Sequence, residues 1–328
     1  MIRFDAECLI CQLRRQVEVA RGYGDDERAM AFARDLMRLY LEGPADVASP
    51  WFVPYIDDLL HKHYDLPADR FLEEKEASNR FVLERMDRIR ARVAAAEDPL
   101  YAGLQMAILG NYIDFSALQG EVSFEKLDEM LDRAATFHPD RDTFERMCRE
   151  LESGRKLLYL TDNAGEIGFD RIFAEEIAGR YPNLDITFCV RGGLTMNDAT
   201  RADAEAVGIP FRVIDNGSRA AGTQLDQLSA EAKRAMDTAD VIISKGQGNA
   251  ETLLGCGYNI YYAFLVKCSR FVHPFQKPKF TPMLVAERAK KEPRWSQSNG
   301  AFKLEFSVLA RERPVASPWG EAVAALRR

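Results

Sequence analysis

The sequence predicts an α/β protein in which an all-helical first half precedes a mostly parallel, Rossmann-like sheet. Apolar residues recur at helical spacing through roughly the first 150 residues. After Glu152-Ser153-Gly154, short apolar strands alternate with helices, as is typical of βαβ units. The predicted parts are a helical domain over residues 1–152, an α/β core over 153–285 and a C-terminal extension over 286–328.

The helices of the first half are predicted from apolar spacing and from glycine or proline at their ends. They are Glu7–Arg21, Asp26–Leu41, Trp51–Tyr64, Phe71–Ala96, Pro99–Leu109, Ser123–Ala135 and Arg141–Leu151.

The second half holds five apolar runs of strand length, each read as a buried strand. These strands are Lys156–Thr161, Asp185–Val190, Phe211–Ile214, Asp240–Ser244 and Asn259–Val266, and the helices between and after them are Gly165–Arg180, Asn197–Val207, Leu225–Ala235 and Ala250–Cys256. In the C-terminal extension, Ala301–Leu309 alternates apolar and polar residues like an edge strand.

Composition excludes several classes of protein. The chain has 328 residues, 47% of them hydrophobic, and a net charge of −7, which argues against a general nucleic-acid binder. No apolar run approaches the ~20 residues of a membrane span, and the first residues lack a secretory signal. Six scattered cysteines indicate reduced thiols. We therefore expect a cytoplasmic protein with no membrane partner, and no pattern indicates its oligomeric state.

Nearly every predicted strand runs into a polar cluster at its carboxyl end. Open parallel sheets bind ligands in the crevice beyond these ends. The clusters contain Asp162-Asn163-Ala164-Gly165-Glu166, Arg191-Gly192-Gly193 with Asn197-Asp198, Asp215-Asn216-Gly217, Lys245 to Glu251, and Lys267-Cys268. This composition predicts a divalent cation and an anionic, phosphorylated substrate at one edge of the sheet.

Asp162 and Asn163 are the strongest candidates for binding a cation. Carboxylate and carboxamide oxygens suit Mg²⁺ or Mn²⁺, and the helix opened by Gly165 offers backbone N–H groups to an anion. Either residue alone is read more simply as a helix cap. Asp198 has the same two interpretations, and it becomes a third oxygen ligand if it shares the edge with Asp162.

The loop from Lys245 to Glu251 lacks both the Rossmann fingerprint and the P-loop pattern. Its glycines allow backbone N–H groups to approach a ligand, or they simply form a tight turn. Lys267 follows a long apolar strand, as a surface lysine or as a point charge for phosphate. Arg191 and Lys245 are further cations of this edge.

Two motifs of the first half have open interpretations. Gly110-Asn111 is a common helix stop, or a turn that covers the sheet edge. Cys8-x-x-Cys11 is half of a zinc site, a redox pair or part of a buried helix face. Packing is the favoured reading, because no second CxxC or HxxxH completes a zinc site.

Taken in chain order, these motifs resemble the metal-dependent damage-control phosphatase family, also known as the acidic-residue methyltransferase-like domain family. Its stand-alone prokaryotic branch is the most similar in the CxxC and KGQGN-x-E forms. The matching residues are Cys8-x-x-Cys11, Gly110-Asn111-x-Ile113-Asp114, Asp162-Asn163-x-Gly165-Glu166, Asn197-Asp198, Lys245-Gly246-Gln247-Gly248-Asn249-x-Glu251 and Lys267-Cys268.

The resemblance implies a helical domain packed on a three-layer α/β/α core. It implies that Asp162, Asn163 and Asp198 hold Mn²⁺, Mg²⁺, Co²⁺ or Ni²⁺, and that the enzyme hydrolyses phosphomonoesters of small, in some cases damaged, metabolites. Lys267 would bind phosphate. The other expected substrate or phosphate contacts are Asn111, Glu166, Arg191, Lys245, Asn249 and Glu251.

Two other functions remain open at this stage. One is S-adenosylmethionine-dependent carboxyl methylation, for which no glycine-rich loop follows the first strand. The other is a non-catalytic metabolite-binding module. Within the phosphatase hypothesis, Asp162 is a metal ligand or a covalent nucleophile. The ligand role is favoured, because the residue two positions later is Ala164 rather than a second aspartate.

Overall fold

The computed structural model describes residues 1–113 and 124–287, and the predicted Ala301–Leu309 strand and Asp114 lie outside these ranges. No helix within them is both long and apolar enough to cross a membrane. The first half contains α1 (Ala6–Tyr23), α2 (Asp26–Glu42), α3 (Val53–Tyr64), α4 (Leu72–Ala94), α5 (Pro99–Gly110), α6 (Phe124–Asp132) and α7 (Arg141–Ser153), with short 3₁₀ turns at Ser49–Phe52 and Ala134–Thr136.

The second half alternates strands and helices as predicted, with two additional elements at its end. It contains β1 (Lys156–Leu160), α8 (Glu166–Arg180), β2 (Asp185–Val190), α9 (Arg201–Ala206), β3 (Arg212–Asp215), α10 (Ala230–Thr238), β4 (Val241–Lys245), α11 (Gln247–Leu253), β5 (Ile260–Leu265), α12 (Ser269–Phe275) and β6 (Pro282–Glu287).

The six strands form one sheet in the order β3-β2-β1-β4-β5-β6. The first five are parallel, and β6 pairs antiparallel with β5. From β1 the chain moves outward to β3 and then returns to place β4 on the other side of β1. This reversal leaves a crevice beyond the carboxyl ends of β1 and β4, which is the ligand position in such sheets.

Helices cover both faces of the sheet, which confirms the three-layer α/β class. Alternate strand residues face opposite sides: Leu157 and Tyr159 pack in the cluster that includes α4, α5, α7 and α8, whereas Leu158 and Leu160 pack in the cluster with α10 and α11. Residues of α1 to α3, among them Phe32 and Leu60, form a third cluster. The domain boundary at residue 152 stays a prediction.

The predicted helix Asn197–Val207 was wrong at its start. The helix begins at Arg201, where Thr200 and Asp203 form a reciprocal capping box. Residues Asn197 to Ala199 are instead held by backbone bonds to the loop after β1. Asp198 is therefore not a helix cap. The helix predicted at Leu225–Ala235 also starts late, at Ala230, where Ser229 caps it.

Candidate active site

Backbone pairing between two loops brings the main candidate residues together at the β1–β4 crevice. The amide of Ala199 donates to the carbonyl oxygen of Asp162 at 2.7 Å, and the amide of Ala164 donates to Asn197 at 2.9 Å. Asn163 and Asp198 form an antiparallel bridge between these bonds. The pairing therefore holds Asp162 and Asn163 beside Asp198.

Arg191, at the end of β2, joins both carboxylates. Its Nε donates to Asp198 Oδ2 at 2.6 Å and its Nη2 lies 3.5 Å from Asp162 Oδ1, while its Nη1 donates to Asn249 Oδ1 at 3.1 Å. The guanidinium is buried. We call Asp162, Asn163, Asp198 and Arg191 the site cluster.

The site cluster holds more negative charge than its own cation offsets. The pKa of Asp162 is raised well above its usual range, chiefly by burial and then by the negative charges of Glu166 and Asp198. Lys267 and Arg191 act in the opposite direction. A buried carboxyl in this surrounding favours either a proton or an additional cation.

The glycine-rich loop after β4 passes directly over Asp162. Gly246 has a φ of +77°, and a Cβ built on it would lie 1.9 Å from Asp162 Oδ2. Only glycine permits this approach, both because of the positive φ and because no side-chain atom fits. The glycines thus bring the β4 loop against the carboxylate of β1.

Below the site cluster, a second group of charged side chains is completely buried. Lys245 donates to Glu166 Oε1 at 2.7 Å, to Asp170 and to the carbonyl of Ala107, and Tyr159 donates to Asp170 at 2.9 Å. All four side chains are inaccessible to solvent. We call Lys245, Glu166, Asp170 and Tyr159 the buried network.

Asn111 and Asn163 connect the buried network to the site cluster. The side-chain Nδ2 of Asn111 donates to Asp162 Oδ2 at 3.0 Å and to Glu166 Oε2 at 2.9 Å. The side-chain Nδ2 of Asn163 donates to the same two oxygens, at 2.8 and 2.9 Å. The Asn111 oxygen also accepts from the amide of Leu265 at 3.2 Å. These bonds use the amide nitrogen of Asn163, so Glu166 fixes which way its carboxamide faces.

Lys245, Glu166 and Asn249, which we expect to contact substrate, have side chains that are bonded to protein atoms. The ammonium of Lys245 has three N–H donors, and its three acceptors are all protein atoms. Asn249 donates to the carbonyls of Thr161 and Lys245 and accepts from Arg191 and Thr223, which fills its amide. Glu166 is enclosed by Lys245 and the two asparagines.

Gln247, at the start of α11, contacts both Lys267 and Glu251. Gln247, which the sequence did not single out, accepts from the Lys267 amide at 2.9 Å and donates to Glu251 Oε1 at 3.0 Å. Lys267 is 8% exposed, and its charge lowers the pKa of Asp162, which places it near the site cluster. Burial raises the pKa of Glu251 to about 7.

The Cys8-x-x-Cys11 pair has no metal-site geometry. Cys8 is half-buried and Cys11 exposed, both as free thiols, and burial raises the pKa of Cys8 to about 12, opposite to a reactive thiol. Within residues 1–113 and 124–287, no group of three or more His, Cys, Asp or Glu side chains converges as a metal site.

The donor chemistry of the site cluster fits a divalent cation held by two carboxylates and one carboxamide, with further oxygens from outside the protein side chains. The same loop contains two further buried oxygens, Asn197 Oδ1 and Thr195 Oγ1, with no hydrogen-bond partner in the part of the chain that the structure describes. A buried loop with more oxygen acceptors than protein donors is what a cation or ordered water completes.

The fold is of the α/β class with a polar crevice at the carboxyl ends of its strands, and comparison with known proteins identifies its family and with it the phosphatase class. Residues 4–280 match the family described as the damage-control phosphatase ARMT1-like domain. The chain belongs to this family. The match confirms the resemblance seen in the motifs and does not favour the methyltransferase or the binding-module hypothesis. Membership of the CxxC branch stays a prediction.

Two archaeal relatives match over most of their length. The chain is 32% identical to the damage-control phosphatase PH1575 of Pyrococcus horikoshii, over 83% of this chain and 94% of the relative. It is also 32% identical to an uncharacterized protein, MJ0202, of Methanocaldococcus jannaschii, over 81% and 90%. The crystal structure of the P. horikoshii protein, a DUF89 family protein, superposes with a TM-score of 0.75 at 26% identity, covering 87% of this chain and 99% of that one.

Proposed function

We propose that this protein is a metal-dependent phosphatase that hydrolyses phosphomonoesters of small metabolites, including damaged ones. The single observation that carries the proposal is the pairing of the two loops, which places Asp162 and Asn163 beside Asp198 in a buried crevice. Family membership supports the phosphatase class independently.

Asp162, Asn163 and Asp198 would hold the divalent cation, which we propose to be Mn²⁺, Mg²⁺, Co²⁺ or Ni²⁺. When bound, the cation supplies Lewis acidity toward a phosphoryl oxygen and activates water for attack. Arg191 orients the Asp198 carboxylate through its 2.6 Å bond. Glu166 keeps the Asn163 nitrogen engaged, so that the carboxamide oxygen is the atom offered to the cation.

Lys267 is the proposed phosphate-binding lysine. It lies beside the site cluster yet outside the buried network, and a charged ammonium at this position offsets the negative oxygens of a phosphate. Arg191 would assist, because its guanidinium has five donors and faces the same carboxylates. Glu251 would contact the part of the substrate remote from the phosphate.

Lys245, Glu166, Asn249 and Asn111 are proposed to position the site rather than to bind substrate. Their bonds run to each other, to Asp162 and to strand-end backbone. Asp162 is proposed as a ligand, since its Oδ2 accepts from both Asn111 and Asn163. A covalent role would leave a radiolabelled phosphoenzyme after acid quench, and detection of one would overturn the ligand assignment.

The test is release of phosphate from an aryl phosphate by EDTA-stripped protein, with and without each of the four cations. We expect no release without metal and turnover once it is added. Thermal unfolding in parallel should show stabilisation by the same cations. A folded protein that releases no phosphate with any cation, from aryl phosphates or from a panel of small phosphorylated metabolites, would contradict the proposal. Cytoplasmic location stays a prediction.

A further inference from the structure

Two polar side chains of α4, in the helical first half, are buried against both loops of the site cluster. Lys75 is 4% and Asn79 is 6% exposed. Four residues apart, they share one face of the helix. Lysine and asparagine are rarely buried without a specific partner, so their contacts need a reason.

Asn79 bonds to the segments that follow the two halves of the site cluster. Its Oδ1 accepts from the amide of Gly165 at 2.7 Å, two residues after Asn163. Its Nδ2 donates to Asp203 Oδ1 at 2.9 Å. Asp203 in turn accepts from the amide of Thr200 at 2.8 Å, two residues after Asp198. One carboxamide therefore links the loop after β1 to the loop after β2.

Lys75 completes this link. Its Nζ lies 2.8 Å from Asp203 Oδ2, with both side chains almost fully buried. The carboxylate of Asp203 is thus fixed from three sides, by Lys75, Asn79 and Thr200. A carboxylate buried this deeply is retained only when its oxygens are paired and bonded.

Gly165 allows the helix to come this close. It has a φ of +75°, and a Cβ on it would lie 2.7 Å from the side chain of Ser78. The α4 backbone therefore packs directly on the turn that follows Asp162 and Asn163. The contact is between rigid elements, a helix and a glycine turn, which can fix a distance.

We infer that Asn79 and Lys75 are positioning residues that set the separation of the Asp162–Asn163 loop from Asp198. The backbone pairs of Ala199 and Ala164 hold the loops on the sheet side, and the Asn79–Asp203 link holds them on the helix side. Metal–ligand distances tolerate only about 0.2 Å. The inference rests on the proposed function in that the site binds a cation, and it assigns part of that affinity to the helical half.

The test is the Mn²⁺ dissociation constant of EDTA-stripped protein, measured by calorimetry, for wild type and Asn79→Asp. This variant keeps the size and the acceptor for Gly165 but places a second carboxylate against Asp203. We expect Mn²⁺ binding to weaken by about 10- to 100-fold, as when groups that orient metal ligands are changed, and kcat for aryl phosphate to fall while KM changes little.

The double variant Asn79→Asp/Asp203→Asn exchanges donor and acceptor and leaves Lys75 a carboxylate to pair with. It should recover most of the Mn²⁺ affinity. Arg80→Gln, an equal charge change at an exposed neighbour on the same helix, should bind Mn²⁺ like wild type.

Wild-type Mn²⁺ affinity in folded Asn79→Asp would overturn the inference, even if its unfolding midpoint were lower. If Asn79→Asp does not fold, the double variant decides: near wild-type affinity supports the link, and weak binding at a wild-type unfolding midpoint rejects it. Wild-type protein that binds Mn²⁺ but hydrolyses no ester would refute the proposed function, while the comparison of dissociation constants would still test the link.

Discussion

The site cluster and the buried network are adjacent, and each contains two carboxylates and one cationic side chain. The partners of these charges differ. In the buried network, Lys245 faces two carboxylates and a carbonyl at hydrogen-bond distance. In the site cluster, two carboxylates share the guanidinium of Arg191, which lies at 2.6 Å from one and 3.5 Å from the other. The buried network pairs its lysine with protein acceptors, whereas the two carboxylates of the site cluster share one guanidinium, which is why we propose that a cation binds there.

The largest expected effect is on turnover and comes from a substitution in the site cluster. Asp162→Asn removes the carboxylate that we propose as a metal ligand, and we expect phosphate release to fall about 10³-fold or more, equivalent to several kcal/mol of transition-state stabilisation. Unfolding by urea should show equal or higher stability, because the amide removes a carboxyl whose charged form is disfavoured by burial and by Glu166 and Asp198. Asp215→Asn, a carboxylate at the same sheet edge but bonded to Arg201, serves as the control.

Retained turnover in Asp162→Asn at saturating metal would place the reaction elsewhere. A parallel loss of turnover in Asp215→Asn would show that other carboxylates at this sheet edge are equally important. The special role of the site cluster would then be rejected.

Lys245→Met, in the buried network, should lower the stability of the fold. It leaves Glu166 and Asp170 buried without their cation, which typically costs about 3–5 kcal/mol of unfolding free energy. The measurement is urea unfolding of metal-free protein. Adding Asp170→Asn should recover part of the loss, because it removes one of the two uncompensated charges. Unchanged stability in Lys245→Met would mean that Glu166 and Asp170 do not depend on the charge of Lys245.

The sequence predicted which residues lie at the sheet edge, but not their hydrogen-bond partners. Strand ends are readable from apolar runs, so Asp162, Asn163 and Asp198 could be placed together. Whether a lysine after a strand lies above or below the crevice depends on packing by α5 and α8, which no local pattern encodes. Lys245 and Lys267 therefore looked alike, and no local pattern shows that Lys245 is enclosed by three protein acceptors.

Other misses have local physical causes. Asn197, Asp198 and Thr200 are all good helix caps, and pairing with the β1 loop decides that Thr200 is used. The strand β6 starts at a proline and lies at the sheet edge, where apolar alternation is weak. The contacts of Lys75 and Asn79 join residues more than 80 positions apart in the chain, beyond the reach of helical periodicity.

A third prediction tests the close approach of the β4 loop to Asp162 at Gly246. Gly246→Ala should reduce turnover strongly and lower stability by about 2 kcal/mol, because it adds strain at positive φ and a clash with Asp162. Gly257→Ala is a matched control: its φ is +82° and nothing lies within 4 Å of an added Cβ. It should show the φ strain alone, about 1 kcal/mol, with turnover intact. Equal effects of both variants would mean that close approach to Asp162 is unimportant.

The smallest effect concerns Glu251, which belongs to neither the site cluster nor the buried network. Its pKa is raised by burial from 4.5 to about 7, so the folded state favours the protonated carboxyl. Its contribution to stability is then complete below about pH 4.5 and is lost as the pH rises through about 7. Glu251→Gln stays neutral, so its unfolding free energy relative to wild type should rise across this window. Urea unfolding of both proteins at pH 4.5 and pH 8 measures the difference. A pH-independent difference would show that the pKa of Glu251 is the same in the folded and unfolded protein, and would contradict the prediction.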